Sequence, residues 1–143
     1  GFSTFDTHKD TVYTFIDDTE KTHHVFKHWD NYPSGAVEFL NNALPYAWQL
    51  PRFEACEFSA SFIASNKQKG GGDFRLAKHW DKFGDLDYRY EITLKDKKLY
   101  VKIFERDWND LNMNDDKYFL LDEDFLFNLM QKYKGDENVR AIN

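Results

Sequence analysis

Apolar and polar positions alternate along four segments of the chain, and this pattern predicts two β-hairpins. The first hairpin joins residues 11–18 to residues 22–29, which are rich in β-branched and aromatic side chains and are separated by a short polar connection. The pattern leaves its register open. A tight two-residue loop would place Tyr13 opposite Phe26, whereas a shift by one residue would exchange the buried face.

The second hairpin joins residues 87–95 to residues 98–106 around a turn of Asp96 and Lys97. This register sorts the side chains by chemistry, because apolar residues meet on one face and opposite charges meet on the other. The predicted pairs are Tyr90–Ile103, Ile92–Val101, Leu94–Leu99, Glu91–Lys102 and Asp87–Arg106. The charged members of these pairs, together with Arg89, are expected to form a solvated outward row.

Helical spacing of apolar residues first appears in residues 33–47. Val37, Leu40 and Leu44 recur at intervals of three and four, which predicts an amphipathic helix. Pro45 has no backbone N–H and its ring clashes with the preceding turn, so the helix should end or kink near Leu44.

A second helix is predicted over residues 51–68, with Pro51 at its first position and the glycines 70–72 as its stop. Its apolar stripe is expected to consist of Phe53, Cys56, Ala60 and Ile63. Cys56 is therefore expected to be a small buried side chain, not a nucleophile.

The last helix is predicted over residues 122–133, with Asp122 as its N-cap. Its apolar stripe contains Phe125, Leu126, Leu129, Met130 and Tyr133. A further strand is expected at residues 74–79, and residues 107–117 are expected to form a polar loop.

The element order is therefore strand, strand, helix, helix, strand, strand, strand, helix. Hairpins without strand–helix–strand alternation predict an α+β fold of two layers, in which three helices cover one face of a mainly antiparallel sheet of about five strands. The length of 143 residues corresponds to one domain, so residues 1–143 are expected to form a single globular unit. Aromatic residues make up 18% of the chain and should dominate its core.

Charge and cysteine content narrow the classes of partner. The net charge is −6, from 25 acidic and 19 basic residues, which argues against nucleic acid and against anionic membranes as partners. No apolar stretch is long enough to span a bilayer. The single cysteine excludes an internal disulfide, so a cytoplasmic location is expected.

Polar and aromatic residues are most concentrated in residues 28–35, at the junction between the second strand and the first helix. A helix N-terminus favours an anion, and His28 or Asp30 could bind or activate a ligand there. A purely structural corner explains the same residues, because Asp30 and Asn31 are common in turns and Pro33 holds its predecessor extended. Both interpretations remain open.

The sequence of residues 26–35, FKHWDNYPSG, resembles the His-Trp-Asp-Gly-Tyr-Pro signature of small uncharacterised proteins from phages and bacteria. Residues 84–92 resemble a second block that often follows this signature. The resemblance implies a prokaryotic or viral origin and supplies no catalytic residues. Asn31 stands where the signature has Gly, and since both residue types tolerate a positive φ, we expect a left-handed conformation at Asn31.

Other patterns of metal ligands are weak. His24 and His28 lie about 13 Å apart on a strand, which is too far for one zinc ion, and His79 could join them only from a neighbouring strand. Residues 110–114 begin like a calcium loop, but the sixth and twelfth positions lack the required Gly and Glu. No metal and no cofactor is expected.

Two functions of different class follow. The first is a small non-enzymatic interaction protein whose aromatic surface recognises another protein or its own copy. The alternative is a small-molecule or nucleotide binding protein, with or without catalysis, whose site lies at the corner and uses an arginine as anion anchor. The candidate ligand-binding residues are His28, Trp29, Asp30, Tyr32, Arg75 and Arg89.

Overall fold

The computed structural model describes residues 10–68, 73–80, 86–107 and 118–134. The strands are β1 (Thr11–Ile16), β2 (Thr22–Lys27), β3 (Phe74–Ala77), β4 (Tyr88–Lys95), β5 (Lys98–Arg106) and β6 (Tyr118–Phe125). The helices are α1 (Pro33–Ala43), which continues into a 3-10 turn (Leu44–Tyr46), α2 (Ala55–Gln68) and α3 (Leu126–Tyr133). The predicted end of the first helix near Leu44 is confirmed.

Among the described residues, one mixed sheet contains all six strands in the order β3-β2-β1-β4-β5-β6. β1 and β4 are parallel neighbours, and the other pairs are antiparallel. The α+β class with three helices is confirmed. The strand count and the element order are corrected, because β6 adds a sixth strand before the last helix.

The β4–β5 hairpin has the predicted register. Tyr90 lies opposite Ile103, and Glu91 lies opposite Lys102. Asp96 and Lys97 have φ values of 51° and 65°, as the tight turn between twisted strands requires. The predicted chemistry of the pairs therefore selected the correct register.

The β1–β2 hairpin adopts the shifted register of the two that the sequence left open. Tyr13 lies opposite Val25, and residues 17–21 form a connection in which Glu20 has a φ of 65°. The Asp17 carboxylate organises this connection, since it accepts hydrogen bonds from the backbone amides of Thr19 and Lys21.

Alternate rows of the sheet face two different environments. The helix-facing side carries the main core, which includes Tyr13, Phe15, Tyr90, Ile92 and Ile103 from the sheet and Leu40, Phe58, Phe62 and Leu129 from the helices. The opposite side, called here the outer face, carries the register row Arg75–Phe26–Val12–Arg89–Phe104. A smaller apolar cluster of Val12, Phe26 and Leu86 lies on this outer face.

The second helix begins four residues later than predicted, and its buried face differs from the predicted stripe. Phe58 and Phe62 are buried, whereas Cys56 and Ala60 are exposed, so the expectation of a buried Cys56 is wrong. The start is fixed by a residue that is distant in sequence, because the backbone amide of Ala55 donates to Asp17 Oδ2 at 3.0 Å.

The last helix begins at Leu126, and Asp122 is not its N-cap. Residues 118–125 instead pair with β5 across a β-bulge at Ile103/Phe104. Asp122 Oδ2 accepts hydrogen bonds from Lys132 Nζ at 2.7 Å and from the Tyr133 hydroxyl at 2.8 Å. Its sequence position resembled a cap, but its carboxylate joins the strand to the far end of the helix.

Asp17 should make a pH-dependent contribution to stability. The hydrogen bond from the Thr19 hydroxyl, and then that from the Ala55 amide, lower the pKa of Asp17 from 3.8 to about 2. A lowered folded-state pKa stabilises the fold above pH 4, and this contribution is lost as the pH falls from about 4 towards 2.

We predict that Asp17→Asn lowers the free energy of unfolding by about 2 kcal/mol at pH 7, because hydrogen bonds to a charged group are replaced by weaker ones. Urea denaturation at pH 7 and near pH 2 measures the effect, which should largely disappear at the lower pH. Asp18→Asn is the matched control, since Asp18 is exposed. An equal loss in the control, or a difference independent of pH, would contradict the assignment.

Candidate functional site

The corner between β2 and α1 is built on two left-handed residues. Trp29 and Asp30 have φ values of 78° and 56°, and the φ of Asn31 is not positive. The expectation of a left-handed Asn31 is therefore wrong. The left-handed turn ends at Asp30, one residue before Asn31. The side chain of Asn31 points into the protein, where it is buried.

Asn31 is fully buried and forms hydrogen bonds that connect the corner to the sheet. The Tyr13 hydroxyl donates to Asn31 Oδ1 at 2.7 Å, and Asn31 Nδ2 donates to the Lys27 carbonyl at 2.8 Å. The Tyr90 hydroxyl donates to the Asn31 carbonyl at 2.6 Å. Burial raises the pKa of Tyr13 and of Tyr90 well above the usual value, so both phenols stay protonated donors.

Lys27 is the buried cation of the corner. Its exposed fraction is 1%, and Nζ donates to the Trp29 carbonyl at 2.8 Å. The ammonium also lies 3.9 Å from the centroid of the Phe39 ring, which is a cation–π contact between the corner and α1. Lys27 therefore stabilises the left-handed turn through its hydrogen bond to the Trp29 carbonyl.

The first turn of α1 packs tightly against this corner. A Cβ atom on Gly35 would overlap the Asp30 carbonyl oxygen, so only glycine fits this position without movement of the backbone. Ser34 and Gly35 are buried, and Ala36 N donates to the Tyr32 carbonyl at 2.8 Å. The Asp30 carbonyl oxygen therefore lies against the helix start that the sequence suggested as an anion site.

The side chains predicted to bind a ligand point in different directions from the corner. Trp29 and Asp30 are exposed, and Tyr32 is half-buried with its ring 6.4 Å from the ring of Tyr88. His28 lies on the outer face, where its Nδ1 is 2.5 Å from Asp10 Oδ1. The predicted ligand-binding side chains of the corner therefore do not converge on one site, because His28 lies on the outer face and Trp29, Asp30 and Tyr32 do not line the same cavity.

His28 and Arg75 both line a cavity of about 350 Å³ on the outer face. Its other walls are formed by Phe26, Asp10 and Asp73. Arg75 forms an ion pair with Asp73 at 3.2 Å, and the Asp10 carboxylate lies against the His28 ring. Each basic group in this cavity consequently has a carboxylate beside it, and the cavity has little net positive charge to attract an anion.

Arg89 lies elsewhere on the outer face, beneath aromatic rings. Its guanidinium is 3.9 Å from the centroid of the Trp80 ring, 5.1 Å from Phe104 and 5.5 Å from Tyr118. The expected solvated row is corrected here, because the Arg89 side chain is 13% exposed and Arg106 is buried. Arg89 stabilises the packing of the outer face by cation–π contacts.

Metal-ligating side chains do not cluster in threes anywhere in the part of the chain that the structure describes. β3 does bring the His79 ring to 5.9 Å from the His24 ring, and Thr14 Oγ1 lies 2.8 Å from His24 Nδ1. Three predicted features lie outside the described residues. They are the calcium-like segment 110–114, the glycines 70–72, and residues 84–85, which begin the second block of resemblance to the phage and bacterial proteins.

A second concave surface escaped the sequence analysis. A cavity of about 190 Å³ with almost entirely apolar walls lies between the end of α1, the start of β5 and α3. Its walls include Leu44, Leu50, Leu99, Phe125, Leu126 and Met130. Phe127 also lines this apolar cavity, and 69% of its surface is exposed. The sequence signal for this apolar surface was Phe127, an aromatic residue that lies outside the apolar stripe of α3.

A scan against protein-family models and searches of curated proteins and of solved structures found no match to this chain. Among the described residues, no helix combines the length and the apolar character needed to cross a bilayer. The outer-face cavity, the apolar cavity and the corner are candidate functional surfaces of this chain.

We predict that Asn31→Gly lowers the free energy of unfolding by roughly 3 kcal/mol, although the signature that this segment resembles has Gly at this position. The substitution removes the hydrogen bond to the Lys27 carbonyl and leaves the buried Tyr13 hydroxyl without the acceptor Oδ1, which alone costs roughly 1–3 kcal/mol. Asp30→Gly is the matched control, because Asp30 is exposed and has the positive φ that glycine favours. Chemical denaturation should show a loss for Asn31→Gly and none for Asp30→Gly; the reverse order would refute the described corner.

Proposed function

We propose that this chain is a small non-enzymatic protein-binding domain, of the phage or bacterial type that its corner sequence suggests. The observation that carries the proposal is the apolar cavity with the exposed Phe127 at its edge. Exposed apolar surface that surrounds a concavity is typical of protein–protein contacts, where a few side chains inserted into pockets dominate affinity.

Exposed aromatic residues near the cavity support the same function. The segment of residues 44–50 contributes Leu44 and Leu50 to the walls of the cavity and also carries Tyr46 and Trp48, which are exposed. Arg52 lies 3.3 Å from the centroid of the Trp48 ring and holds it at the surface. Aromatic residues and arginine are the residue types enriched at interfaces.

The buried polar groups of the corner stabilise the fold. Asn31, Lys27 and Gly35 are each buried in contacts within the chain, and no nucleophile next to a base emerges from them. A domain that maintains such a corner while presenting an apolar cavity elsewhere fits binding better than catalysis.

The rival function is a small-molecule or nucleotide binder at the outer-face cavity. One observation favours it, namely that His28 and Arg75, which are distant in sequence, line the same 350 Å³ space. For this rival, a thermal-shift screen of nucleotides and other anions should find stabilisation that is lost in His28→Ala and in Arg75→Ala but kept in Arg89→Lys. We expect no such ligand, and a hit with this pattern would replace our proposal.

We predict that a photo-crosslinking amino acid, p-benzoylphenylalanine, forms a discrete protein adduct when it replaces Phe127. Leu76 is the matched control, because it is a large apolar residue of similar exposure, 75% against 69%, and lies on β3 at the opposite edge of the sheet. The readout is the adduct pattern on a denaturing gel after irradiation in the cells that encode the chain. Absence of an adduct from position 127, or the same adduct from position 76, would contradict the proposal.

A further inference from the structure

The tip of the β4–β5 hairpin concentrates positive charge beside the apolar cavity. Lys95, Lys97 and Lys98 are all exposed, and Asp96 is the one acidic residue of the turn. Lys98 and the next residue, Leu99, also line the cavity. The basic group and the apolar wall are therefore parts of one surface.

This arrangement of lysines is unfavourable for the fold itself. Lys95 lies directly opposite Lys98 in the hairpin register, and like charges in that position repel each other. Within the part of the chain that the structure describes, these three lysines form no ion pair; Lys95 and Lys98 only approach the rings of Tyr100 and Phe125. Such a cluster stands out in a chain of net charge −6.

The carboxylates of the neighbouring strand β6 already interact with other groups. Asp122 accepts from Lys132 and Tyr133, Glu123 accepts from the Tyr100 hydroxyl at 2.7 Å, and Asp124 accepts from Asn128 Nδ2 at 2.9 Å. Among the described residues, none of these carboxylates forms an ion pair with the lysines of the hairpin tip. An external acidic group would complement it.

We propose that the occupant of the apolar cavity is an acidic segment of a partner protein, which inserts one bulky apolar side chain and places Asp or Glu residues against Lys95, Lys97 and Lys98. This inference rests on the proposed function and specifies its partner class. Burial of the apolar anchor supplies most of the affinity, and the lysines supply selection and faster association.

The test uses a random 12-residue peptide display library selected on the immobilised full chain. Enriched peptides are synthesised, and their affinity is measured by fluorescence anisotropy against three variants. Phe127→Ser removes the apolar rim of the cavity. The triple variant Lys95→Ser/Lys97→Ser/Lys98→Ser removes the basic tip, and Lys21→Ser/Lys78→Ser/Lys102→Ser removes the same charge from exposed lysines elsewhere.

We expect enriched peptides with an aromatic or leucine anchor flanked by Asp or Glu. Phe127→Ser and the hairpin-tip variant should each weaken binding by about tenfold or more, and the control triple variant by less than about twofold. Raising the salt concentration should weaken binding to the wild-type chain but not to the hairpin-tip variant.

Two outcomes would overturn the inference, and they can be told apart. Peptides that require Phe127 but carry no acidic residues and ignore the lysine variants would refute the acidic partner and leave the protein-binding function standing. No Phe127-dependent peptide, combined with no crosslink from position 127, would refute both. A dimer in light scattering that dissociates in Phe127→Ser would identify a second copy as the occupant and also overturn the inference.

Discussion

The buried amide of Asn31 is the interaction on which the rest of the structure depends. Tyr13 and Tyr90 belong to the two parallel strands at the centre of the sheet, and each donates its hydroxyl to Asn31. Buried hydroxyls without partners are costly, so the left-handed turn at Trp29 and Asp30, which precedes Asn31 and places it beside both hydroxyls, stabilises the core. That turn fixes where α1 begins, and α1 in turn forms one wall of the apolar cavity.

The two faces of the sheet have different roles that follow from this arrangement. The helix-facing side is filled by aromatic rings, and the phenols of Tyr13 and Tyr90 stack with centroids 5.0 Å apart beneath Asn31. On the outer face, rings cover Arg89 and carboxylates accompany His28 and Arg75. The apolar cavity lies beside the hairpin tip, whose three lysines form no ion pair among the described residues, and we propose the binding function for this surface.

Local pattern predicted the parts of the fold whose partners are close in sequence. The β4–β5 register followed from the chemistry of its cross-strand pairs, and Pro45 marked the end of α1 because its effect is local. The start of α2 depends on Asp17, 38 residues away, and the buried role of Asn31 depends on Tyr90, 59 residues away. Sequence patterns do not encode such contacts, so the position of Cys56 and the conformation of Asn31 were predicted wrongly, and the apolar cavity was not predicted.

The most direct test of this account is a double-mutant cycle on the free energy of unfolding, built from Tyr13→Phe, Asn31→Ala and the double variant. If the buried amide holds the corner to the sheet, the two substitutions remove the same hydrogen bond, and the account predicts a coupling energy of roughly 1–3 kcal/mol. Effects that add to within about 0.3 kcal/mol would contradict it, because the two side chains would then stabilise the protein independently.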